Sequence, residues 1–315
     1  MSQKNFEPAY LRTFREGLFP EKIETAFRML ENCALCPRNC GVNRLEGEKG
    51  HCCAGSLPEV SSHSPHFGEE RPLVGFHGSG TIFLTHCNLK CLFCQNYSIS
   101  HLGEGEEVSF ERLGKIMIEL QSMGCHNINF VSPTHYVPQI LKAIPAAVEK
   151  GLSVPLVYNT GGYDSVQTLK LLDGVFDIYM PDFKYSDSKP AQEYSQASDY
   201  PENVKLALKE MFRQVGDLIV DEKGIALRGL LVRHLVLPQG LAGTRKAMHF
   251  MAQELSKNTY VNIMDQYYPC GNISLTSPLG RRITKEEYNE AIKMAKKEGI
   301  TRLDKREKLR LLWRF

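Results

Sequence analysis

Six short apolar runs alternate with helix-like stretches through the middle of this chain, and few architectures accommodate that pattern. The runs lie at 80–85, 128–132, 154–160, 178–184, 230–238 and 260–267. Amphipathic stretches at 110–123, 137–150, 165–172, 202–215 and 245–255 separate them. Near-continuous apolar strands between amphipathic helices indicate parallel βαβ units with both sheet faces covered. The predicted fold is therefore α/β, a partial (β/α)6 TIM-like barrel over 76–275, open rather than closed at eight strands. In such a barrel the functional groups belong at the C-terminal ends of the strands. Residues 1–75 read as a helical, cysteine-rich, metal-binding extension, and 276–315 as a helical tail. The polar segment 187–201 reads as a loop bordering the site.

The strand ends carry polar groups. Cys87 follows the first run, Ser132, Pro133, Thr134 and His135 the second, and Asn159 with Thr160 ends the third. Asp182 and Lys184 end the fourth, Arg233 and His234 lie in the fifth, and Tyr267 closes the sixth. Loops are polar in any protein, so position alone does not name a site. Asp182 and Lys184 say more. At i and i+2 they share one face of a strand, and an inward charged pair is costly unless partnered. His135 and His234 read more readily as structural residues than as proton donors.

Ten cysteines without a secretory-type leader point to metal or redox use in a reducing compartment, hence the cytoplasm. Cys87, Cys91 and Cys94 are spaced C-x3-C-x2-C. Iron–sulfur clusters normally take four cysteines, so three thiolates on a [4Fe-4S] cube leave one iron open. Zinc prefers C-x2-C pairs and needs a fourth ligand; adjacent His86 would have to fold back to supply it. A second set, Cys33, Cys36, Cys40 and Cys52, has four thiols, with Cys53 as a spare or alternative. Four ligands make a closed site, either tetrahedral zinc or a fully ligated iron–sulfur cluster, and spacing does not choose between them. Cys125 reads as core, whereas Cys270 follows the last run, within reach of the site.

The formal net charge of +2 gives no case for nucleic-acid binding. No stretch approaches the roughly 18 apolar residues of a membrane span. Basic residues near the end, among them Lys305, Arg306, Lys308, Arg310 and Arg314, alternate with Asp304 and Glu307 and read as a solvated helix face.

With Phe93 just before its third cysteine, the triad resembles that of the radical S-adenosylmethionine (SAM) superfamily. The segments 36–44, 87–94, 129–135 and 261–267 together are similar to PflX-type proteins related to pyruvate formate-lyase activating enzyme. That resemblance implies a [4Fe-4S] cluster on Cys87, Cys91 and Cys94 that chelates SAM through its open iron. Reduced by a flavodoxin- or ferredoxin-like donor, it would cleave SAM to methionine and a 5′-deoxyadenosyl radical. The radical would take hydrogen from a substrate the sequence does not name: a glycyl radical protein, another peptide or a metabolite. The resemblance further implies SAM contacts. Ser132, Pro133 and Thr134 stand where a Gly-Gly-Glu segment grips the amino group. Asn159, Thr160 and Asp182 line the SAM region, with Asn159 replacing an aspartate that serves a cation. Lys184 and Arg233 match groups near the SAM carboxylate, and Tyr267 stands at a ribose-contacting position. The alternative is a zinc-stabilised binding or scaffold protein with no SAM chemistry.

Overall fold

The computed structural model describes residues 6–304; the basic residues from Lys305 onward lie outside them. Nine strands among the described residues make one mixed sheet. They are β1 (Glu59–His66), β2 (Ser79–Leu84), β3 (Glu106–Glu107), β4 (Ile128–Val131), β5 (Leu156–Thr160), β6 (Ile178–Pro181), β7 (Ile219–Val220), β8 (Ala226–Leu235) and β9 (Tyr260–Met264). Strands β2, β4, β5, β6, β8 and β9 pair side by side in that order, all parallel. Among the described strands β9 pairs only with β8, so the curved sheet stays open. The edge of β9 is met by the chain at 302–304, where Val261 donates to the Arg302 carbonyl and Asp304 to that of Val261.

The helices follow from the apolar spacing. The helix Phe110–Ser122 starts where the Ser109 hydroxyl accepts from the Arg112 amide, and it buries Leu113, Ile116, Met117 and Leu120. That i, i+3, i+4, i+7 set is one helical face. The helices Val137–Glu149 and Tyr200–Val215 bury faces of the same kind, and β5 and β6 are buried along their whole length.

Two sequence expectations need correction. Strand β1 reads Glu-Val-Ser-Ser-His-Ser-Pro-His, which has neither an apolar run nor clean alternation; it pairs antiparallel with β2 on one side and with the two-residue β3 on the other. The sheet thus draws on the segment read as a separate extension. The segment 187–201 is not a loop: it contains the helix Ser188–Ser195 and the start of Tyr200–Val215. Its apolar face is only Ala191 and Tyr194, too sparse to show as periodicity.

The first helix, Ala9–Arg15, is fastened to the N-terminal ends of the central strands. The Ala9 amide donates to Asp177 Oδ1 at 2.8 Å, and the Thr13 hydroxyl to the Gly174 carbonyl at 2.6 Å. Inside the fold, fully buried His234 bonds through Nδ1 to the Phe183 carbonyl at 2.7 Å and through Nε2 to the Thr244 hydroxyl at 2.9 Å. Burial lowers its pKa to about 4 against the opposing pull of the Phe183 carbonyl. The unfolded chain, with a value of about 6.5, binds the proton first. This stability is therefore present above pH 6.5 and lost as pH falls toward 4. Between pH 6.5 and 5 we expect it to remove about 1–2 kcal/mol of unfolding free energy. Denaturant unfolding at both pH values should show that loss in the wild type and not in His234→Gln; equal losses would refute it.

Candidate active site

A cavity of about 230 Å³ lies at the C-terminal ends of the parallel strands. Cys87, Cys91 and Cys94 line it from the loop after β2. Ser132 comes from the end of β4, Asn159 and Thr160 from β5, Asp182 and Lys184 from just beyond β6, and Arg233 from β8. The cysteine loop needs unusual backbone: His86 and Lys90 adopt φ of 63° and 47°. Each left-handed non-glycine residue costs on the order of 1 kcal/mol. Of the seven such residues among those described, five (Asn39, Cys53, His86, Lys90 and Ser132) are in or beside a cysteine set or line this cavity. Strain concentrated there marks a site whose geometry the rest of the fold imposes.

Each triad sulfur accepts one hydrogen bond. The Leu89 amide donates to Cys87 Sγ at 3.3 Å, the Ser195 hydroxyl to Cys91 Sγ at 3.1 Å and the Ser100 hydroxyl to Cys94 Sγ at 3.1 Å. Burial pushes the Cys91 thiol up to about 12, with Lys184 opposing it, and raises Cys87 as well. Such thiols remain protonated at neutral pH until a metal displaces the proton, which is the behaviour of a ligand set. Three thiols on one wall, each with a hydrogen-bond donor at its sulfur, fit an iron–sulfur cluster with one open iron.

Beside the triad lies a charged cluster. Asp182 Oδ2 accepts from Lys184 Nζ at 2.5 Å and Oδ1 from Arg233 Nε at 2.7 Å, while Arg233 Nη2 donates to Asn159 Oδ1 at 2.7 Å. The bridge between Asp182 and Arg233 continues the pairing of β6 with β8 and sets this geometry. Burial opposes the Asp182 charge, but Arg233 and Lys184 outweigh it and hold the carboxyl below its usual range. The Tyr200 hydroxyl ties the two strand ends together, donating to the carbonyls of Gly161 and Asp182. At Gly162, φ is +80° and a Cβ would stand 2.2 Å from the Asp182 carbonyl oxygen, so only glycine allows this approach. With one carboxylate between two cations, the cluster keeps a net positive charge suited to an anionic group.

Some expected contacts lie elsewhere. Pro133, Thr134 and Tyr267 do not line the cavity. The Thr134 and Thr160 hydroxyls donate to Asp164 Oδ1 and Oδ2 at 2.7 Å each, and the Tyr158 hydroxyl adds a third bond. Asp164 is buried, which raises its pKa against those three donors. The Tyr267 hydroxyl donates to the Leu279 carbonyl at 2.6 Å, so it is not turned toward a ribose in the cavity. Sequence reading missed Asp164, Ser100, Ser195, Tyr200 and the pair of His86 Nε2 with Glu59 Oε2, 3.2 Å apart. No motif flags them; each is found only through its partner. Cys270 donates to the Phe93 carbonyl at 3.2 Å, beside the triad loop. Cys33, Cys36, Cys40 and Cys52 line a second, small cavity.

Comparison with known proteins bears on the family. The radical SAM superfamily model matches residues 81–220, a stretch that includes the triad. The uncharacterized protein MJ0674 of Methanocaldococcus jannaschii is 32% identical over 307 residues, covering 94% of this chain and 83% of the relative. The chain belongs to the radical SAM superfamily. A second relative from that organism, the uncharacterized protein MJ0808, is 27% identical over 175 residues, half of each chain. Among solved structures, a radical SAM methyltransferase from Sphaerobacter thermophilus aligns with a TM-score of 0.49 at 14% identity, over 70% of this chain and 64% of that one. Membership in the radical SAM superfamily implies an enzyme that cleaves SAM with a [4Fe-4S] cluster. The zinc-scaffold alternative without SAM chemistry gives way to that finding. Among the described residues no helix is long and apolar enough to cross a membrane.

Proposed function

We propose that Cys87, Cys91 and Cys94 hold the [4Fe-4S] cluster and that SAM occupies the cavity beside them. The convergence of three hydrogen-bonded thiols, one buried and two half-buried, on the same cavity as the Asp182–Lys184–Arg233 cluster carries this reading. The cluster, once loaded and reduced, supplies the electron that breaks the SAM sulfonium bond. The chain's own residues bind and orient. Lys184 and Arg233 offer positive charge to the methionyl carboxylate, Asn159 aims Arg233, and Ser132 borders the SAM amino end, whereas Thr134 and Thr160 hold the wall through Asp164. Apolar Leu89, Val131 and Leu235 line the same cavity and limit water near the radical.

The branch we favour is the PflX-type group related to pyruvate formate-lyase activating enzyme, acting in the cytoplasm with a flavodoxin- or ferredoxin-like donor. The hydrogen then comes from a C–H bond presented at the cavity mouth. A glycine in a glycyl radical protein is one candidate, and another peptide or a metabolite is the alternative. We further propose that the N-terminal cysteines hold a second, closed centre, zinc or iron–sulfur.

The deciding experiment is anaerobic reconstitution with iron and sulfide, followed by reduction in the presence of SAM. Formation of 5′-deoxyadenosine is expected, dependent on both reductant and protein. A fully reconstituted protein that forms none would overturn the reading.

A further inference from the structure

Behind the triad loop, Cys33, Cys36, Cys40 and Cys52 line an enclosed cavity of about 10 Å³ together with Arg44 and Gly50. The chain doubles back to assemble them: Cys33 donates to the Val42 carbonyl at 2.9 Å, and Gly41 to that of Cys33 at 3.1 Å. The His51 amide donates to Cys40 Sγ at 3.4 Å. A Cβ on Gly50 would lie 2.9 Å from that same sulfur, so a side chain there would fill the space between the cysteines.

Arg44 is the anomaly. It is only 1% exposed, the most deeply placed cation near this cavity. Its Nη1 donates to the His135 carbonyl at 2.8 Å and Nη2 to the Gly55 carbonyl at 2.6 Å, while Nε has no partner. Among the described residues no carboxylate pairs with it. A guanidinium does not shed its proton in a protein, and a buried charge without an opposite one costs several kcal/mol. Two carbonyl dipoles offset part of that cost, but they bring no negative charge. The cavity's remaining ionisable groups are its four thiols, His135 and Arg38, a second cation, which donates to the Asn88, Leu89 and Ser195 carbonyls. As thiols they carry no charge. His135, buried among them, brings no anion either.

A bound metal core changes this balance. Metal binding releases the thiol protons. Four thiolates around either Zn²⁺ or an oxidised [4Fe-4S] core leave a doubly negative centre. We propose that Cys33, Cys36, Cys40 and Cys52 close as thiolates around such a core, and that this centre is the counter-charge buried Arg44 lacks. The inference deepens the second-centre reading above by assigning its charge and the residue that balances it. Among the described residues no group of three or more His, Cys, Asp or Glu is already arranged to hold a metal ion. A single ion such as zinc would therefore require the four sulfurs to draw together. Cys53 stays outside the set: it does not line the cavity, and its sulfur lies 3.3 Å from Lys90 Nζ.

The test uses the full chain with Cys87, Cys91 and Cys94 replaced by alanine, so that any metal bound belongs to the second centre. It is loaded aerobically with zinc and, separately, anaerobically with iron and sulfide, then desalted for metal and sulfide analysis. We expect about one zinc or about four irons per chain, and the loading that succeeds identifies the core. The metal should be lost in Cys52→Ser and kept in Cys53→Ser. In the same background Arg44→Gln, which retains an N–H donor and removes the charge, should weaken retention against a chelator by about tenfold or more. Arg44→Lys should restore most of it, and circular dichroism checks that each variant folds. If Arg44→Gln does not fold, Arg44→Met, uncharged and of similar length, supplies the comparison, and retention in it equal to the parent's overturns the charge assignment. No metal from either loading overturns the second centre. Undiminished retention in Arg44→Gln overturns only the counter-charge. Neither result bears on SAM cleavage at the triad, which is read independently in the wild-type protein.

Discussion

Alanine at Cys91 is expected to reduce 5′-deoxyadenosine formation to background, with SAM, reductant and reconstitution unchanged. Losing even a hydrogen-bond partner of a metal ligand typically costs roughly 10–100-fold, and losing one of only three ligands should cost more. The site has no ready replacement. The Ser195 hydroxyl that donates to Cys91 Sγ would be left facing a methyl group. Cys270, an extra thiol beside the loop, is engaged with the Phe93 carbonyl. Cys270→Ala is therefore the matched control and should keep its activity. Product measured by chromatography, with the electron paramagnetic resonance signal of the reduced cluster, reads both effects. Undiminished product from Cys91→Ala would remove the triad from the mechanism.

Asp182→Ala should be the most destabilising single change in the cavity wall. Asp182, Lys184 and Arg233 have side chains only 11%, 18% and 17% exposed. Deleting the anion leaves two cations side by side in a poorly hydrated space. Breaking a buried pair costs about 3–5 kcal/mol, and because cavity water reaches Lys184 and Arg233 we expect about 3 kcal/mol. The sign with pH is fixed. The Asp182 pKa is depressed in the folded state, so its contribution is present above the unfolded value of about 3.9 and is lost as pH falls through the folded one. Chemical denaturation should therefore show a large gap between wild type and variant at pH 7 that narrows in strong acid. Equal stability at pH 7 would mean that water alone satisfies the two cations.

The parallel strands were legible because β5 and β6 are buried on both faces and have to be apolar throughout. Strand β1 was not, because a strand near the sheet edge with burial on few positions has no need of that pattern. The cysteine spacings were legible because ligands to one metal group must be close along the chain or be brought together by tight turns. Tyr267 was misplaced because its position in the chain does not tell where its hydroxyl goes; a loop carries Leu279 to it. The helix Ser188–Ser195 escaped notice although it delivers the donor to Cys91, since two apolar residues do not make a period.

The chain by itself determined the alternation of strands and helices, the three-thiol and four-thiol sets, and the charged residues at strand ends. These are local properties, set by spacing along the backbone. Only the tertiary structure decided that Asp164 takes up the hydroxyls of Thr134 and Thr160, that Arg233 reaches both Asp182 and Asn159, and that Arg44 is buried beside four cysteines without an anion. Several of those contacts join segments far apart in the chain, and the energies that select all of them, desolvation and charge compensation, exist only once the fold has excluded water.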